Sequence, residues 1–178
     1  MIDRVALAER VKGVIRDVPD FPKEGIIFKD ITPVLQSGEL FREVTEYFAE
    51  RCRNRGITKV VGIESRGFIF GAALAHEMGI GLTLIRKPGK LPWDRVSVEY
   101  ELEYGSDTVE MHVDGVTADD KVVLIDDLLA TGGTAAAAIE LIERAGGKVD
   151  EAVFLIELGF LDGRAKLGEV DIHALVAY

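Results

Sequence analysis

Short apolar runs alternate with helix-type segments along this chain, and that alternation restricts the fold more than any other feature. Buried strands are predicted at residues 59–63, 82–85, 122–125, 149–158 and 172–178. Helices are predicted at residues 2–18, 38–55, 67–78 and 134–145, and residues 21–33 are expected to form a loop or a short extended piece. Strands that alternate with helices form a parallel sheet covered on both faces. We therefore expect an α/β fold in a single domain spanning residues 1–178.

One region has a different pattern, typical of a β-hairpin. From Val96 to Tyr104 apolar and polar residues alternate strictly, with Val98 and Tyr100 on the apolar side and glutamates on the other. After residues 105–107 the alternation resumes through Val109. The pattern predicts two antiparallel strands joined by a turn at residues 105–107.

The charge balance excludes some classes of partner. The chain of 178 residues has 21 basic and 31 acidic side chains, a net charge of −10. Proteins that bind nucleic acid or membrane surfaces need a basic footprint, so neither partner is expected. An anionic small molecule remains possible, because a few local cations or backbone N–H groups suffice to bind it. With one cysteine, the predicted buried Cys52, and no apolar run of about 18 residues, we expect a soluble cytoplasmic protein.

The strongest chemical signal begins at the predicted strand 122–125. Two acids follow that strand, then a loop rich in threonine and glycine, then a helix. Glycines let backbone N–H groups approach an anion, threonines add hydroxyl donors, and the dipole of the following helix favours negative charge. The sequence therefore predicts a phosphate cradle formed by Ala130, Thr131, Gly132, Gly133 and Thr134.

Asp126 and Asp127 need a separate explanation, because acids beside a phosphate are electrostatically unfavourable. Carboxylates accept hydrogen bonds from neighbouring hydroxyls, so the diol of a ribose is a natural partner. The loop lacks the Gly-Lys-Ser/Thr ending of a P-loop and the spacing of a dinucleotide loop. Cradle and acids together predict a ribose 5-phosphate site.

The string from Val122 to Ala135 resembles the signature of type I phosphoribosyltransferases, in the variant found in the adenine-specific members. Four other segments resemble those members in the same order, so the resemblance spans nearly the whole chain. They are the base-binding segment 20–35, the pyrophosphate loop 62–68, and the flanks of a mobile loop at 85–92 and 102–105.

The resemblance implies a fold and a reaction. The fold would add an N-terminal hood and a mobile β-hairpin lid to the parallel sheet. The reaction would transfer phosphoribosyl from 5-phosphoribosyl 1-pyrophosphate to N9 of adenine, giving AMP and pyrophosphate in purine salvage. Mg²⁺ would be carried mainly by the substrate pyrophosphate, with no dedicated protein ligand. Members of the family are usually homodimers, so a homodimer is expected.

The resemblance also implies roles for individual residues. The acid/base near the purine would be Glu103, with Tyr104 helping the loop to close. Pyrophosphate would be bound by Ser65, Arg66, Arg86, Lys87 and Lys90. Adenine would be recognised by the backbone near Ile27 and Lys29 and sandwiched between the apolar side chains Phe28 and Leu158. The three histidines lie apart without ligand spacing and receive no role.

Two alternatives stay open. One is an enzyme of the same fold that uses another base, against which the adenine-type segments 20–35 and 102–105 argue. The other is a non-catalytic regulator that senses phosphoribosyl pyrophosphate and controls DNA or RNA. That regulator would need a basic surface or an added domain, and the net charge of −10 argues against it.

Overall fold

The computed structural model describes residues 2–101 and 105–178. In chain order its elements are α1 (Arg4–Val14), β1 (Arg16–Pro19), β2 (Ile27–Asp30), α2 (Thr32–Gln36), α3 (Gly38–Arg55), β3 (Lys59–Ile63), α4 (Gly67–Met78), β4 (Gly81–Ile85), β5 (Arg95–Glu101), β6 (Ser106–His112), β7 (Lys121–Leu129), α5 (Gly133–Arg144), β8 (Lys148–Glu157) and β9 (Asp171–Ala177). Two short 3-10 turns, Gly159–Leu161 and Gly163–Lys166, separate β8 from β9. Among the described helices none has both the length and the apolar character needed to cross a membrane.

The five predicted strands form one sheet in the order β4-β3-β7-β8-β9, and every neighbouring pair is parallel. Successive side chains of a strand point to opposite faces. Val60 and Val123 accordingly pack with the apolar sides of α1 to α4, whereas Val61 and Leu124 pack with α5 and the β5–β6 hairpin. The expected α/β fold, with a parallel sheet and helices on both faces, is confirmed.

Helix α3 shows how the pattern of the sequence becomes packing. Leu40, Val44, Phe48 and Cys52 recur every four residues and are all buried in the core that α3 shares with α1, α2, α4 and the sheet. The helix ends as expected at Gly56, whose φ of 70° suits glycine. Burial raises the pKa of the Cys52 thiol to about 12, so this side chain stays uncharged, as expected of a small buried hydrophobe.

The prediction for the first helix was wrong beyond Val14. The helix ends there because Ile15 adopts an extended conformation, and β1 follows. Strand β1 pairs antiparallel with β2, from Pro19 opposite Ile27, 8 positions apart in the sequence, to Arg16 opposite Asp30, 14 positions apart. The spacing of Val14 and Val18 fits a helix. However, Pro19 favours an extended conformation for the residue before it, and pairing with β2 stabilises that conformation. The five-residue helix α2 was not predicted at all.

The hairpin is confirmed with a shifted turn. Val98 lies opposite Val109, and both side chains are buried in the core on the face of the sheet that α5 covers, called here the second face. The predicted turn at 105–107 was wrong in part, because Ser106 and Asp107 belong to β6, where they pair with Glu101 and Tyr100. The base of the hairpin is thus part of the core.

Candidate active site

Three loops meet at the carboxyl edge of the parallel sheet, where ligands of such sheets bind. They follow β3, β4 and β7, which are adjacent in the sheet. A cavity of about 450 Å³ opens between them. Its lining consists of Phe28, Glu64, Ser65, Arg66, Lys87, Asp126, Asp127, Leu128 and Thr134.

The predicted phosphate cradle forms a smaller cavity next to this one. It has a volume of about 90 Å³ and is lined by Asp126 and residues 128–135. Helix α5 begins here without a side-chain cap, after Gly132 in the left-handed conformation (φ 79°). The first N–H groups of an uncapped helix are available to an anion, and the helix dipole favours its charge. The geometry of the cradle therefore suits a single phosphate group.

Helix α4 starts at the same edge because residue 67 is glycine. A Cβ on Gly67 would lie 2.8 Å from the carbonyl oxygen of Ile125 and 2.9 Å from Oδ1 of Asp126. No side chain fits such a gap. The close approach carries Arg66, which precedes the helix, to the end of β7.

Asp126 and Asp127 lie in the last residues of β7, which extends to Leu129 rather than ending at Ile125. The Asp127 N–H donates to Oδ1 of Asp126 at 2.8 Å, and Nε of Arg66 lies 2.9 Å from Oδ2 of Asp127. Burial and the neighbouring Asp127 carboxyl raise the pKa of Asp126 well above its usual range. Burial also raises the pKa of Asp127, against the opposing effect of Arg66. The pair thus resists carrying two full negative charges while keeping oxygens that can accept hydrogen bonds from hydroxyl groups.

The cations after β4 surround the carboxylate of Glu64. Nε of Arg86 lies 3.3 Å from Oε2 of Glu64, the Lys87 N–H donates to the same oxygen at 2.9 Å, and Lys90 forms an ion pair with Oε1. Burial alone would raise the pKa of Glu64, but these three donors lower it to about 2. Glu64 is therefore ionised at neutral pH and holds Arg86 and Lys90 next to the cavity, although neither cation is among its lining residues.

A hydrogen-bonded cluster joins the hairpin to the cradle. The Tyr100 hydroxyl lies 3.0 Å from Oγ1 of Thr134, 3.1 Å from Nζ of Lys87 and 3.2 Å from Oδ2 of Asp107. Lys87 also forms an ion pair with Asp107. The hairpin thereby contacts both the cradle and a predicted pyrophosphate-binding cation.

Phe28 reaches the cavity from β2. The guanidinium carbon of Arg66 lies 4.9 Å from the centre of its ring, and Phe21 packs against it edge-on at 5.1 Å. Its neighbours Ile27 and Lys29 are not among the lining residues: Ile27 is exposed, and Nζ of Lys29 pairs with Asp17 at 2.6 Å.

The structure brings together most, but not all, of the predicted site residues. Three more of them line neither cavity. Arg86 and Lys90 contact the carboxylate of Glu64, and Leu158 directly follows β8, where its N–H donates to the Leu129 carbonyl at 2.9 Å. Glu103 and Tyr104 lie outside the described residues.

Sequence reasoning missed four residues of this region: Glu64, Tyr100, Asp107 and Leu128. Tyr100 had a usable signal, because the alternation of the hairpin placed it on the inward face. Glu64 also had a usable signal, because it directly follows the predicted strand 59–63, at the end where ligands of parallel sheets bind. Asp107 had none, because it was assigned to the turn.

No group of three or more potential ligands that could hold a metal ion occurs within residues 2–101 and 105–178. The nearest candidates are the two acids of β7, beside the cavity. A metal that arrives with substrate phosphates could contact them through water.

Comparisons with known proteins point to one family. The family model "Phosphoribosyl transferase domain" matches residues 30–177. A curated adenine phosphoribosyltransferase of Anaeromyxobacter sp. (strain Fw109-5) is 53% identical over 173 residues, which are 97% of this chain and 98% of the relative.

Solved structures agree. The crystal structure of adenine phosphoribosyltransferase from Thermoanaerobacter pseudethanolicus superimposes with a TM-score of 0.93 at 50% identity, covering 96% of this chain and 99% of that one. The Saccharomyces cerevisiae enzyme, crystallised with adenine and an imino-altritol bisphosphate, gives a TM-score of 0.91 at 39% identity, covering 96% and 99%. The likeness extends over nearly the full length in both sequence and structure, and the chain therefore belongs to the phosphoribosyl transferase family.

Proposed function

We propose that this chain transfers the phosphoribosyl group of 5-phosphoribosyl 1-pyrophosphate to N9 of adenine, with release of pyrophosphate and formation of AMP. The observation that carries the proposal is the cavity at the carboxyl edge of the sheet. It unites an aromatic ring from β2, Ser65 and the cations Arg66 and Lys87 after β3 and β4, and the acids that precede the phosphate cradle. These are the chemistries that a purine, a pyrophosphate and a ribose phosphate require.

The 5′-phosphate would occupy the cradle of residues 130–134, where the start of α5 and the Thr134 hydroxyl offer donors. The ribose diol would donate to Asp126 and Asp127. As the bond from C1′ to pyrophosphate breaks, the sugar develops positive charge, which neighbouring carboxylates stabilise. The raised pKa values of the pair limit its repulsion of the substrate phosphates.

The departing pyrophosphate would be bound by Ser65, Arg66, Arg86, Lys87 and Lys90. In the structure the four cations are engaged by Glu64, Asp107 and Asp127. When pyrophosphate binds, each cation must exchange a carboxylate partner for a phosphate oxygen. The net gain in binding free energy is therefore smaller than it would be for cations without such partners. Mg²⁺ bound to the pyrophosphate would neutralise part of its charge, with Asp126 or Asp127 contacting it through water.

Adenine would lie against Phe28, with Leu158 on its far side and the backbone near Ile27 and Lys29 reading its edge. Because Arg66 covers one face of the Phe28 ring, the base must use the open part of that ring or displace the guanidinium. A site that accepts a hydrogen bond from the 6-amino group leaves polar groups unpaired with a 6-oxo purine. We expect selectivity against hypoxanthine and guanine.

We further propose that the whole chain acts as one domain, in the cytoplasm, as a homodimer, with no nucleic-acid or membrane partner. The two core clusters share a single sheet, which supports one cooperative unit. Isologous dimers are the commonest oligomers, which supports the dimer. Sedimentation equilibrium measures the assembly directly.

The test is pyrophosphate release with Mg²⁺ and phosphoribosyl pyrophosphate across adenine, hypoxanthine, guanine, xanthine and orotate. Release with adenine alone is the expected result. Release with another base would keep the phosphate site and overturn the account of base recognition. Absence of release with any base, despite binding of phosphoribosyl pyrophosphate, would favour the regulator, and salt-dependent nucleic-acid binding would then be measured.

A further inference from the structure

The 3-10 turn Gly163–Lys166, which lies between β8 and β9, closes one side of the phosphate cradle. A Cβ built on Gly163 would lie 2.2 Å from the carbonyl oxygen of Ala130 and 3.1 Å from the backbone nitrogen of Gly132. A Cβ on Gly132 would lie 2.2 Å from the carbonyl oxygen of Gly163. The two backbones are therefore in direct contact, and neither position has room for a side chain.

The turn is fixed by contacts that do not involve the cradle. Both Nε and Nη2 of Arg164 lie 2.6 Å from the two carboxylate oxygens of Glu157, and its Nη1 donates to the Ile172 carbonyl at 3.0 Å. Leu167, which follows the turn, is buried in the core on the second face of the sheet. Arg164 thus ties the turn to the end of β8 and the start of β9, and Gly163 presses a fixed backbone against the cradle.

The cradle needs such support because its donors are backbone groups of a loop. Gly132 has a φ of 79°, and glycine in this conformation is otherwise free to move. A displacement of about 1 Å at a binding group can cost about a hundredfold in rate. Groups that align binding donors must themselves be held by packing and hydrogen bonds.

We propose that Gly163 and Arg164 are positioning residues for the 5′-phosphate of the substrate: Gly163 sets the position of residues 130–132, and Arg164 fixes Gly163. The proposal rests on the assignment of the cradle to that phosphate. Neither residue touches the substrate, so each acts through the backbone of the cradle alone.

The first variant is Gly163→Ala, whose methyl group must push the Ala130 carbonyl away. We expect the KM for phosphoribosyl pyrophosphate to rise about tenfold or more, and the Kd for ribose 5-phosphate to rise with it. The KM for adenine at saturating phosphoribosyl pyrophosphate and the Kd for pyrophosphate should stay near wild type. Gly38→Ala is the matched control, because a Cβ there meets nothing within 4 Å.

The second variant, Arg164→Gln, adds no volume and removes the anchor of the turn. It should give the same selective loss of ribose 5-phosphate affinity, to a smaller degree, and it decides the question if Gly163→Ala does not fold. Arg42→Gln is its control, since Arg42 pairs with Glu46 on the exposed surface of α3.

Calorimetry with ribose 5-phosphate separates this proposal from the proposed function, because it requires no turnover. If the wild type binds ribose 5-phosphate but releases no pyrophosphate with any base, the reaction is wrong, and weaker binding by Gly163→Ala still supports the positioning role. Folded variants with wild-type affinity for ribose 5-phosphate would overturn the proposal. An equal loss of affinity for ribose 5-phosphate, pyrophosphate and adenine would also overturn it, because it would indicate general loss of structure.

Discussion

Glu64 is the residue on which the charge balance of the site depends. Its carboxylate contacts two cations proposed to bind pyrophosphate, Arg86 and Lys90, and the backbone of a third, Lys87. A carboxylate at this place has two opposing effects. It holds the cations in position, and its negative charge competes with the substrate phosphates for them.

The variant Glu64→Gln separates these effects. Removing one negative charge beside the proposed pyrophosphate site should tighten pyrophosphate binding by about 1 kcal/mol, or about fivefold. The turnover number should fall, because Arg86 and Lys90 lose the partner that aligns them. Calorimetry with Mg²⁺ and pyrophosphate measures the first effect and initial rates the second. Glu9→Gln, on exposed α1, is the control of equal charge change, and weaker pyrophosphate binding by Glu64→Gln would contradict the argument.

Glu103 carries the proposed proton transfer to or from the purine as the bond from C1′ to N9 forms. In Glu103→Gln the side chain keeps its size and loses its ability to exchange a proton. We expect turnover to fall by about a hundredfold or more, the usual contribution of a general acid or base. The thermal unfolding midpoint should remain unchanged. Glu99→Gln, on the exposed side of β5, is the matched control, and wild-type turnover in Glu103→Gln would remove Glu103 from the mechanism.

At the scale of elements, the sequence predicted those parts whose signal is local. The buried strands were predictable because runs such as Val122–Ile125 are apolar throughout, and α3 because its apolar residues recur every four positions. Strand β1 was not, because its pairing with β2 depends on residues 8 to 14 positions away. The loop before α5 and the start of that helix were predictable from their own composition. The contacts of Asp107 with Lys87 and of Gly163 with Ala130 were not, because each joins distant segments.

The contact between α4 and β7 gives a prediction at this scale. In Gly67→Ala the new methyl group meets the Ile125 carbonyl and the Asp126 carboxylate, so α4 must move away from the strand. We expect the free energy of unfolding to fall by about 1–3 kcal/mol, the usual cost of overpacking. The movement also takes Arg66 away from Asp127 and should weaken pyrophosphate binding.

Gly13→Ala is the matched control for this substitution. Gly13 lies in α1, and a Cβ there meets nothing within 4 Å. Alanine favours a helix over glycine by up to about 1 kcal/mol, so this variant should be more stable than the wild type. Urea denaturation measures both changes. Equal effects of the two substitutions would show that the approach of α4 to β7 is looser than the structure indicates.

For the whole molecule, one network of ion pairs lies at the edge of the sheet opposite the candidate site. The site occupies the carboxyl edge. At the amino edge Arg55 of α3 forms ion pairs with two strands. Its Nε lies 2.5 Å from Oδ2 of Asp150 in β8, and its Nη2 lies 2.8 Å from Oδ2 of Asp171 in β9. Arg51 contacts the fully buried Glu151 of β8. This separation means that stability can be altered at the amino edge with little effect on the site.

His173 on β9 allows that separation to be tested by pH. Its side chain is buried, its Nε2 lies 3.0 Å from the Tyr47 hydroxyl, and Arg51, Arg4 and Arg164 are the charged groups that act on it. Burial, reinforced by these arginines, lowers the pKa of His173 from 6.5 to about 4. In the unfolded chain the ring takes up a proton as the pH falls through 6.5, whereas in the folded protein it stays neutral down to about pH 4. The stability that neutral His173 contributes is therefore complete above pH 6.5 and lost progressively between pH 6.5 and 4.

The variant His173→Gln, which keeps a hydrogen-bonding side chain but cannot titrate, should show a shallower loss of stability over that range. The difference in slope is at most about 1.4 kcal/mol per pH unit for one proton. The carboxylates titrate alike in both proteins, so their contribution cancels in the comparison. Urea denaturation at several pH values measures the slopes, and equal slopes would show that His173 titrates normally in the folded protein. Because β9 is the edge strand farthest from β3 and β4, the KM for phosphoribosyl pyrophosphate at pH 7.5 should be the same in both proteins.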